Sequence, residues 1–459
     1  MLFAEPAQFI NDFVDSLNDA IKETKPNEEL SRIQKGFIAL CIMGILITNS
    51  VCWAKFERSC IIKCTVGSLS WMFRSSSIPW SLLLAMGVNV IISRYNIKSG
   101  VLTVDDTDKK RSKVTKRIPF IHKLKDKSTG GFLNGQCIVF LVLVTPTITI
   151  PVSFAFHEPD PKMTAWNKLK KKGEKRPDKP PKNPNYPTKI EIALNLINEF
   201  VTYFSKIKIK CVVGDALYGT AQFLNKTKKI LGTKQVISQI RKNQNIRFRG
   251  KKRSVEDYFE KNKGVEGTIK VRGKKVKVTM LGLRVYLYAH KTKRFVIALK
   301  YEGESDYRYI VASDMTWCMK DIVEAYSLRW LIEVFIQDWK SYEGWNNLTK
   351  QRGKEGSSKS LILSLLVDHC LFLHPKQLVR FKNKLPAWTV GSLSRLIRKD
   401  SLMSIIEDII SSENPKKKFR ELSKTLKKLF ALLPSDKHMI NKDIGRLDST
   451  PALNYKGKK

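Results

Sequence analysis

The spacing of apolar and polar positions divides the chain into helical ends and a middle rich in strands. In residues 1–97, apolar side chains recur at helical spacing, for example at Phe9, Phe13 and Leu17. From Gly100 the pattern changes to short apolar runs that are typical of strands. The pattern therefore predicts an α/β protein with helical N- and C-terminal regions.

The middle region alternates strands with helices, which indicates a layered α/β core with a mixed sheet. A proline- and lysine-rich segment at 158–187 predicts a solvated loop, and short alternating runs at 243–310 predict a β-rich insertion. The predicted core strands are 100–105, 136–144, 147–156, 210–214 and 235–240, and the predicted core helices are 190–204 and 220–231.

Four regions follow from these changes of pattern. We expect a helical region at 1–97, which is either a plain helical bundle or, because Lys55, Arg58 and Arg74 are distributed through it, a DNA-binding region. We expect an α/β core at 98–242 and 316–345, a β-rich insertion at 243–315 and a helical, basic region at 346–459.

The charge of the chain limits the class of partner. There are 83 Lys and Arg against 42 Asp and Glu, a formal net charge of +41. A compact protein with this excess repels itself unless it meets a polyanion, and nucleic acid is the commonest one. No membrane association is expected, because the longest apolar run, 138–156, is interrupted by Pro146 and Pro151 and is rich in β-formers. The eight cysteines are expected to be free thiols in a reducing cytoplasm.

One predicted helix carries a mixed set of polar residues on a single face. Residues 321–342 predict one helix, and at about 100° per residue Tyr326, Arg329, Glu333 and Lys340 fall on one narrow stripe. Apolar side chains occupy the opposite face. A carboxylate among cations and a hydroxyl suits a site that holds both a divalent metal and a phosphodiester.

Two aspartates follow predicted apolar strands, where further metal ligands are expected. Asp105 comes after Gly100–Val104, and Asp215 comes after Lys210–Gly214. A carboxylate there cannot be buried cheaply and needs a metal, a cation or water. Each aspartate alone could cap a turn or a helix. Together with Glu333 they predict a carboxylate metal site.

The spacing of Tyr326, Arg329, Glu333 and Lys340 resembles a known signature. It is similar to that of the DDE-type bacterial insertion-sequence transposases, which carry a Tyr-Arg-Glu-Lys motif and a ribonuclease H-like core. The β-rich stretch before Glu333 lies where this group carries an inserted β-domain. The resemblance covers roughly residues 100–370.

Two further segments resemble the motifs of the same family. Asp105-Asp106-Thr107 is similar to the segment around its first aspartate, and 212–219 to the segment around its second. The family pattern of Asp with Thr two residues later selects Asp105 over Asp106. Strand alternation could not be used for this choice without a structure.

The resemblance implies a function and a set of roles. Asp105, Asp215 and Glu333 would be the catalytic residues and would hold two Mg²⁺ ions, with Mn²⁺ as a substitute, roughly 3.5–4 Å apart. The residues that would bind the DNA are Tyr326, Arg329 and Lys340.

The implied enzyme cleaves transposon ends and joins them to target DNA by phosphodiester hydrolysis and transesterification, without a covalent protein–DNA bond. Its partners would be double-stranded DNA and a second copy of the chain, and its location the cytoplasm, at the bacterial nucleoid. Two alternatives remain open: another ribonuclease H-like two-metal nuclease, and a catalytically silent DNA-binding relative.

Overall fold

A computed structural model describes residues 1–62, 64–111, 118–126, 129–171, 177–232, 235–271, 273–347 and 353–432. The chain divides into two compact units, Met1–Ile406 and Glu407–Lys459. Within the described ranges, no single helix is long and apolar enough to cross a bilayer. Three pairs of consecutive helices meet that requirement only when they are joined across bends of 53° to 90°.

The chain begins with five helices, as the apolar spacing predicted. The best-defined boundary is that of the second helix, where Ser31 and Gln34 form a reciprocal capping box and Asn49 ends the helix in a left-handed conformation. The five are α1 (Gln8–Thr24), α2 (Arg32–Thr48), α3 (Trp53–Ser59), α4 (Val66–Ser75) and α5 (Trp80–Arg94).

Twelve strands form one mixed sheet. They are β1 (Ser99–Lys110), β2 (His122–Lys125), β3 (Phe132–Val144), β4 (Thr149–His157), β5 (Lys208–Gly214), β6 (Val236–Ile240), β7 (Asn245–Phe248), β8 (Lys251–Ser254), β9 (Val265–Val271), β10 (Lys274–Leu287), β11 (Thr292–Tyr301) and β12 (Arg308–Ala312). The order is β2-β3-β1-β5-β6-β12-β11-β10-β7-β8, with β4 on β3 and β9 on β10. Strands β1, β5 and β6 are parallel neighbours, and the other pairs are antiparallel.

Ten helices are interleaved with the strands or follow them in the described residues. They are α6 (Pro161–Lys171), α7 (Lys189–Tyr203), α8 (Ala221–Leu231), α9 (Val255–Glu260), α10 (Met319–Ser327), α11 (Trp330–Tyr342), α12 (Gly353–Phe372), α13 (Pro375–Lys382), α14 (Val390–Ile410) and α15 (Pro415–Leu429). In the second unit, Lys418 of α15 forms an ion pair with Asp408 at 2.5 Å.

Helices cover both faces of the sheet. Successive strand side chains point to opposite faces, and both faces of the central strands carry apolar side chains that must be buried. On one face, Val101 and Phe140 belong to the core that includes Phe335 and Trp339 of α11. On the other face, strand residues such as Leu102 pack in a second core, with the apolar sides of α7 and α8. Polar residues of β1 are therefore sorted between two different environments.

Four expectations about elements were wrong. Residues 321–342 form two helices, α10 and α11, rather than one. Asp105 lies inside β1, because the strand continues to Lys110. Part of the predicted loop at 158–187 is the helix α6. The two strands expected at 275–280 and 284–290 form one long strand, β10. Strands β10–β12 of the expected insertion continue the same sheet as the core strands.

The break between α10 and α11 has a visible cause. The backbone N–H groups of Leu328, Arg329, Leu331 and Ile332 each donate to the carbonyl three residues earlier. This tighter, 3₁₀-type winding replaces the α-helical pattern for one turn. Residues on either side are therefore rotated from the positions that a continuous helical wheel assigns to them.

Candidate active site

Parallel pairing of β1 with β5 brings two of the predicted carboxylates together. Val104 lies opposite Gly214 in this register, so that Asp105 and Asp215 follow on neighbouring strands. The Asp215 carbonyl accepts a hydrogen bond of 2.5 Å from the Ser238 hydroxyl of β6, and its Oδ1 accepts one of 2.9 Å from the Leu217 backbone N–H. The position predicted for Asp215, directly after its strand, is confirmed.

The turn after Asp215 passes very close to β6. A Cβ on Gly219 would lie 2.1 Å from the carbonyl oxygen of Gln239, where no side chain can be accommodated. Glycine is therefore required for this approach. The contact holds the turn that carries Asp215 against the sheet.

Arg329 lies between the other two predicted groups. Its Nη1 is 2.6 Å from Glu333 Oε1 and 3.4 Å from Asp105 Oδ2. Asp105 and Arg329 are largely buried, with 14% and 18% of their side chains exposed. The guanidinium thus neutralises two carboxylates that come from a strand and from a helix far apart in the sequence.

The environment of Asp105 favours its neutral form. Burial is the main cause and the nearby Asp215 carboxylate adds to it; together they raise the pKa of Asp105 to about 7, against the opposing effects of the Asp106 backbone N–H and of Arg329. Two carboxylates brought close in a desolvated site repel each other unless a cation lies between them. The cluster therefore needs positive charge.

Further cations lie along the same face of β1. Lys340 Nζ donates to Thr107 Oγ1 at 2.5 Å, and buried Lys109 donates to the Asn346 carbonyl at 2.7 Å. Burial, followed by repulsion from Arg111 and Lys340, lowers the pKa of Lys109 to about 8. The sequence interpretation missed Lys109, although a period of two counted from Asp105 would have placed it on this face.

Tyr326 occupies a different position from the one the helical wheel suggested. It is buried, and its hydroxyl donates to Gln239 Oε1 at 3.0 Å. Burial raises the pKa of the Tyr326 hydroxyl. The sequence interpretation also missed Gln239, whose side chain forms the hydrogen bond between Tyr326 and β6. Its only signal in the sequence was a long polar side chain near the end of a predicted strand.

The predicted carboxylates, Arg329 and Lys340 surround one open cleft of about 600 Å³. It brings together all three predicted carboxylates and two of the three predicted DNA-binding residues, whereas Tyr326 is absent from its lining. The lining residues are Asp105, Asp106, Thr107, Asp215, Ala216, Gln239, Arg329, Glu333, Ile336, Gln337 and Lys340.

The donor set of the cleft fits a hard divalent cation. Asp105, Asp215 and Glu333 offer carboxylate oxygens, which are the ligands of Mg²⁺ and Mn²⁺. Burial and the nearby Asp215 carboxylate raise the pKa of Asp105, and a further positive charge in the cleft would stabilise its ionised form. Arg329 now supplies part of that charge, so that ion binding between Asp105 and Glu333 requires its guanidinium to turn aside.

Asp106 points away from these residues. Its carboxylate forms an ion pair of 2.7 Å with Lys189, the first residue of α7. It also accepts a hydrogen bond of 3.5 Å from the Cys137 thiol. Asp106, Asp108 and Cys137 form a group of potential metal ligands whose donor atoms all lie within 4.8 Å of one another. Strand alternation thus places Asp105, and not Asp106, beside Glu333 and Arg329.

Neither a family model nor a curated protein sequence matches this chain. Among solved structures, the chain is similar to a piggyBac transposase in a synaptic complex with hairpin DNA, determined by cryo-EM. The TM-score is 0.43 and the sequence identity 11%, over 94% of this chain and 84% of that chain. A similarity at this level carries no argument about the reaction, and the function must be inferred from the cleft.

Proposed function

We propose that the chain is a DDE-type DNA transposase whose catalytic carboxylates are Asp105, Asp215 and Glu333. One observation carries the proposal. Three carboxylates from a strand, a turn and a helix line one open cleft with Arg329 and Lys340. Carboxylates gathered in this way suit divalent cations, and the cations beside them suit a phosphodiester.

Each group has a role that its position allows. Asp105, Asp215 and Glu333 would hold Mg²⁺ or Mn²⁺, which when bound would polarise the scissile phosphate and lower the pKa of an attacking water. Arg329 would exchange its carboxylate partners for phosphate oxygens as the metal enters. Lys340, fixed on Thr107, would hold the DNA strand beside the carboxylates.

The finer assignments belong to the same proposal. The sheet order β4-β3-β1-β5-β6, with its carboxylates at β1 and β5, supports a ribonuclease H-like core. The region 1–97 would bind DNA, 346–459 would be a helical, basic region, and 243–315 would be the insertion of the family. The net charge of +41 supports double-stranded DNA as the partner and the nucleoid as the location. A homodimer is expected because two transposon ends must be joined.

The test is single-turnover cleavage of labelled DNA ends by the full-length protein. We expect cleavage with Mg²⁺ or Mn²⁺, none in excess chelator, and binding without cleavage when Ca²⁺ replaces them. Undiminished cleavage in chelator would contradict the proposal. Binding without cleavage under every metal would indicate a silent relative.

A second readout separates a transposase from a plain nuclease. The cleaved end, with its free 3′-hydroxyl, is incubated with supercoiled target DNA, and joined products are sought on a gel. Joined products support a transposase. Cleavage with no joining would indicate another two-metal nuclease.

A further inference from the structure

Three neighbouring strands bring unlike metal-binding side chains together on the sheet face opposite the cleft. In the β1–β3 pair Asp108 lies opposite Cys137, and in the β3–β4 pair Cys137 lies opposite His157. Directly opposed residues of antiparallel strands have Cβ atoms roughly 4.5–5.5 Å apart and point to the same face. Asp106, two residues before Asp108, shares that face.

Two donor atoms of this cluster, which comprises Asp106, Asp108, Cys137 and His157, lack a partner. Asp108 Oδ1 and His157 Nδ1 are buried and have no hydrogen-bond partner among the residues that the structure describes. Cys137 has no exposed surface. A buried polar atom without a partner costs roughly 1–3 kcal/mol. Two such atoms beside a buried thiol indicate a ligand that binds all three.

We propose that Asp106, Asp108, Cys137 and His157 form a second metal site, and that it takes a borderline-soft divalent ion, with Zn²⁺ as the best match. Thiolate, imidazole and carboxylate are ligands of zinc, which takes four of them in a tetrahedral structural site. Donor atoms of Asp106, Asp108 and Cys137 lie within 4.8 Å of one another, and His157, opposite Cys137, would turn in as the fourth ligand. Mg²⁺ is excluded by its preference for oxygen donors and octahedral geometry. On binding, the Cys137 thiol loses its proton to solvent and a metal–sulfur bond forms.

Lys189 is the competitor of this ion. Its ammonium lies 2.7 Å from Asp106 Oδ2 and supplies the positive charge that the carboxylates require when no metal is bound. Metal and ammonium therefore compete for Asp106. The site does not rest on the transposase proposal. It would clamp β1, β3 and β4 together, and β1 is the strand that carries Asp105.

The test is a titration of reduced, metal-free, full-length protein with Co²⁺, which replaces zinc and gives a thiolate-to-cobalt charge-transfer band. We expect one equivalent to account for the full intensity of this band, because Co²⁺ bound in the carboxylate cleft has no thiolate ligand and adds nothing to it. Cys137→Ser should abolish the band, and His157→Ala should weaken binding about tenfold or more. Lys189→Gln should tighten it, because the competing ammonium is gone. An unchanged band in Cys137→Ser, or weaker binding in Lys189→Gln, would overturn the proposal.

Two control variants locate the signal. Cys211→Ser removes another buried thiol, on β5, and should leave the band unchanged. Asp105→Asn should also leave it unchanged, which separates this site from the cleft. Loss of the band in either variant, or displacement of Co²⁺ by excess Mg²⁺, would place the ion elsewhere and contradict the assignment.

A measurement on the unaltered protein avoids any folding defect of the variants. X-ray absorption of the zinc-loaded protein should show one sulfur ligand at about 2.3 Å and nitrogen or oxygen ligands at about 2.0–2.2 Å. No sulfur would refute the site. Two sulfurs would point to another pair of thiols, such as Cys60 and Cys64, and would also refute it.

Discussion

The two faces of β1 carry neighbouring aspartates in opposite surroundings. Asp105 faces α11, where Arg329 bridges it to Glu333 in an open cleft. Asp106 faces α7, where Lys189 forms a close ion pair with it. The two residues have the same chemistry and adjacent positions, and the strand pleat alone separates their environments.

This difference teaches that residue type and spacing do not determine a role by themselves. The cleft face combines carboxylates with cations that can exchange partners. The opposite face combines two carboxylates with one lysine, a buried thiol and a histidine, so that Lys189 balances one of its two negative charges. The cleft face is suited to substrate, and the opposite face to a fixed ion or a permanent ion pair.

The largest expected effect comes from exchanging the two aspartates for asparagine one at a time. Asp105→Asn should lower single-turnover cleavage by on the order of 10³-fold or more, because a ligand of a catalytic unit is lost. Asp106→Asn should stay within about tenfold of the wild-type rate, because its carboxylate balances Lys189 on the other face. The measurement is cleavage of a labelled end, with a gel-shift titration of the same DNA.

Controls for this comparison use the other two carboxylates. Asp215→Asn and Glu333→Gln should match the loss seen with Asp105→Asn and leave DNA binding intact or stronger, because negative charge near phosphate is removed. Full cleavage by Glu333→Gln would reject the site. Loss with Asp106→Asn and retention with Asp105→Asn would move the first ligand by one residue.

Local patterns predicted the parts of the site that depend on one element. Asp215 directly after an apolar strand and Glu333 on an amphipathic helix were both readable from the sequence. The position of Asp105 within β1 was not. The strand runs on through alternating polar residues to Lys110, and such residues also suit a loop.

Features that depend on packing between elements were beyond the sequence. The 3₁₀-type turn at Leu328 and Arg329 leaves Tyr326 buried against Gln239, although the helical wheel placed it with Glu333. The row of Asp108 and Cys137 exists only through strand register. The register between paired strands depends on which face of each strand is buried in the folded sheet, and the sequence pattern of one strand does not reveal this.

The second prediction concerns salt and distinguishes the cations of the two faces. Because the net charge is +41, affinity for DNA of any sequence should fall roughly 10³-fold or more between about 50 and 200 mM salt, as expected for six or more phosphate contacts. Lys340→Ala should reduce the slope of log affinity against log salt by about one. Lys189→Gln should leave it unchanged. A flat response in the wild type would show that the charge serves another partner.

The third prediction compares the cations by rate. Arg329→Ala and Lys340→Ala should slow cleavage by about 10–100-fold and weaken the complex at the cleaved end, with activity left, because each removes a charge that holds phosphate. Lys189→Gln should leave the rate of folded protein within a few-fold. Complete loss in Arg329→Ala would indicate a role in the chemical step itself, and no loss would remove Arg329 from the DNA contact.

Two further carboxyls extend the comparison of Asp105 with Asp106 to a third environment, the apolar core. Glu343, after α11, and Asp368, on α12, are buried, with Glu343 fully so. Among the described residues, both Glu343 oxygens and Asp368 Oδ2 lack a hydrogen-bond donor other than a protonated carboxyl of this pair. Burial raises the pKa of Glu343 well above its usual value and that of Asp368 to about 7. The pair therefore retains at least one proton near neutral pH.

The smallest expected effect is a pH dependence of stability from this pair. Carboxyls with pKa values raised in the folded state bind more protons there than in the unfolded chain, whose values are about 4. The contribution of this pair to stability is therefore greatest in acid and declines as the pH rises toward and through the folded value of about 7 for Asp368, by up to about 1.4 kcal/mol per pH unit for one proton. Glu343→Gln removes one of the two carboxyls whose pKa is raised, so the decline in urea unfolding between about pH 5 and 7 should become shallower while Asp368 still contributes to it. Glu260→Gln, at an exposed position on α9, should leave the slope unchanged. A decline of equal slope in Glu343→Gln and the wild type would show that Glu343 binds no extra proton in the folded state over this range.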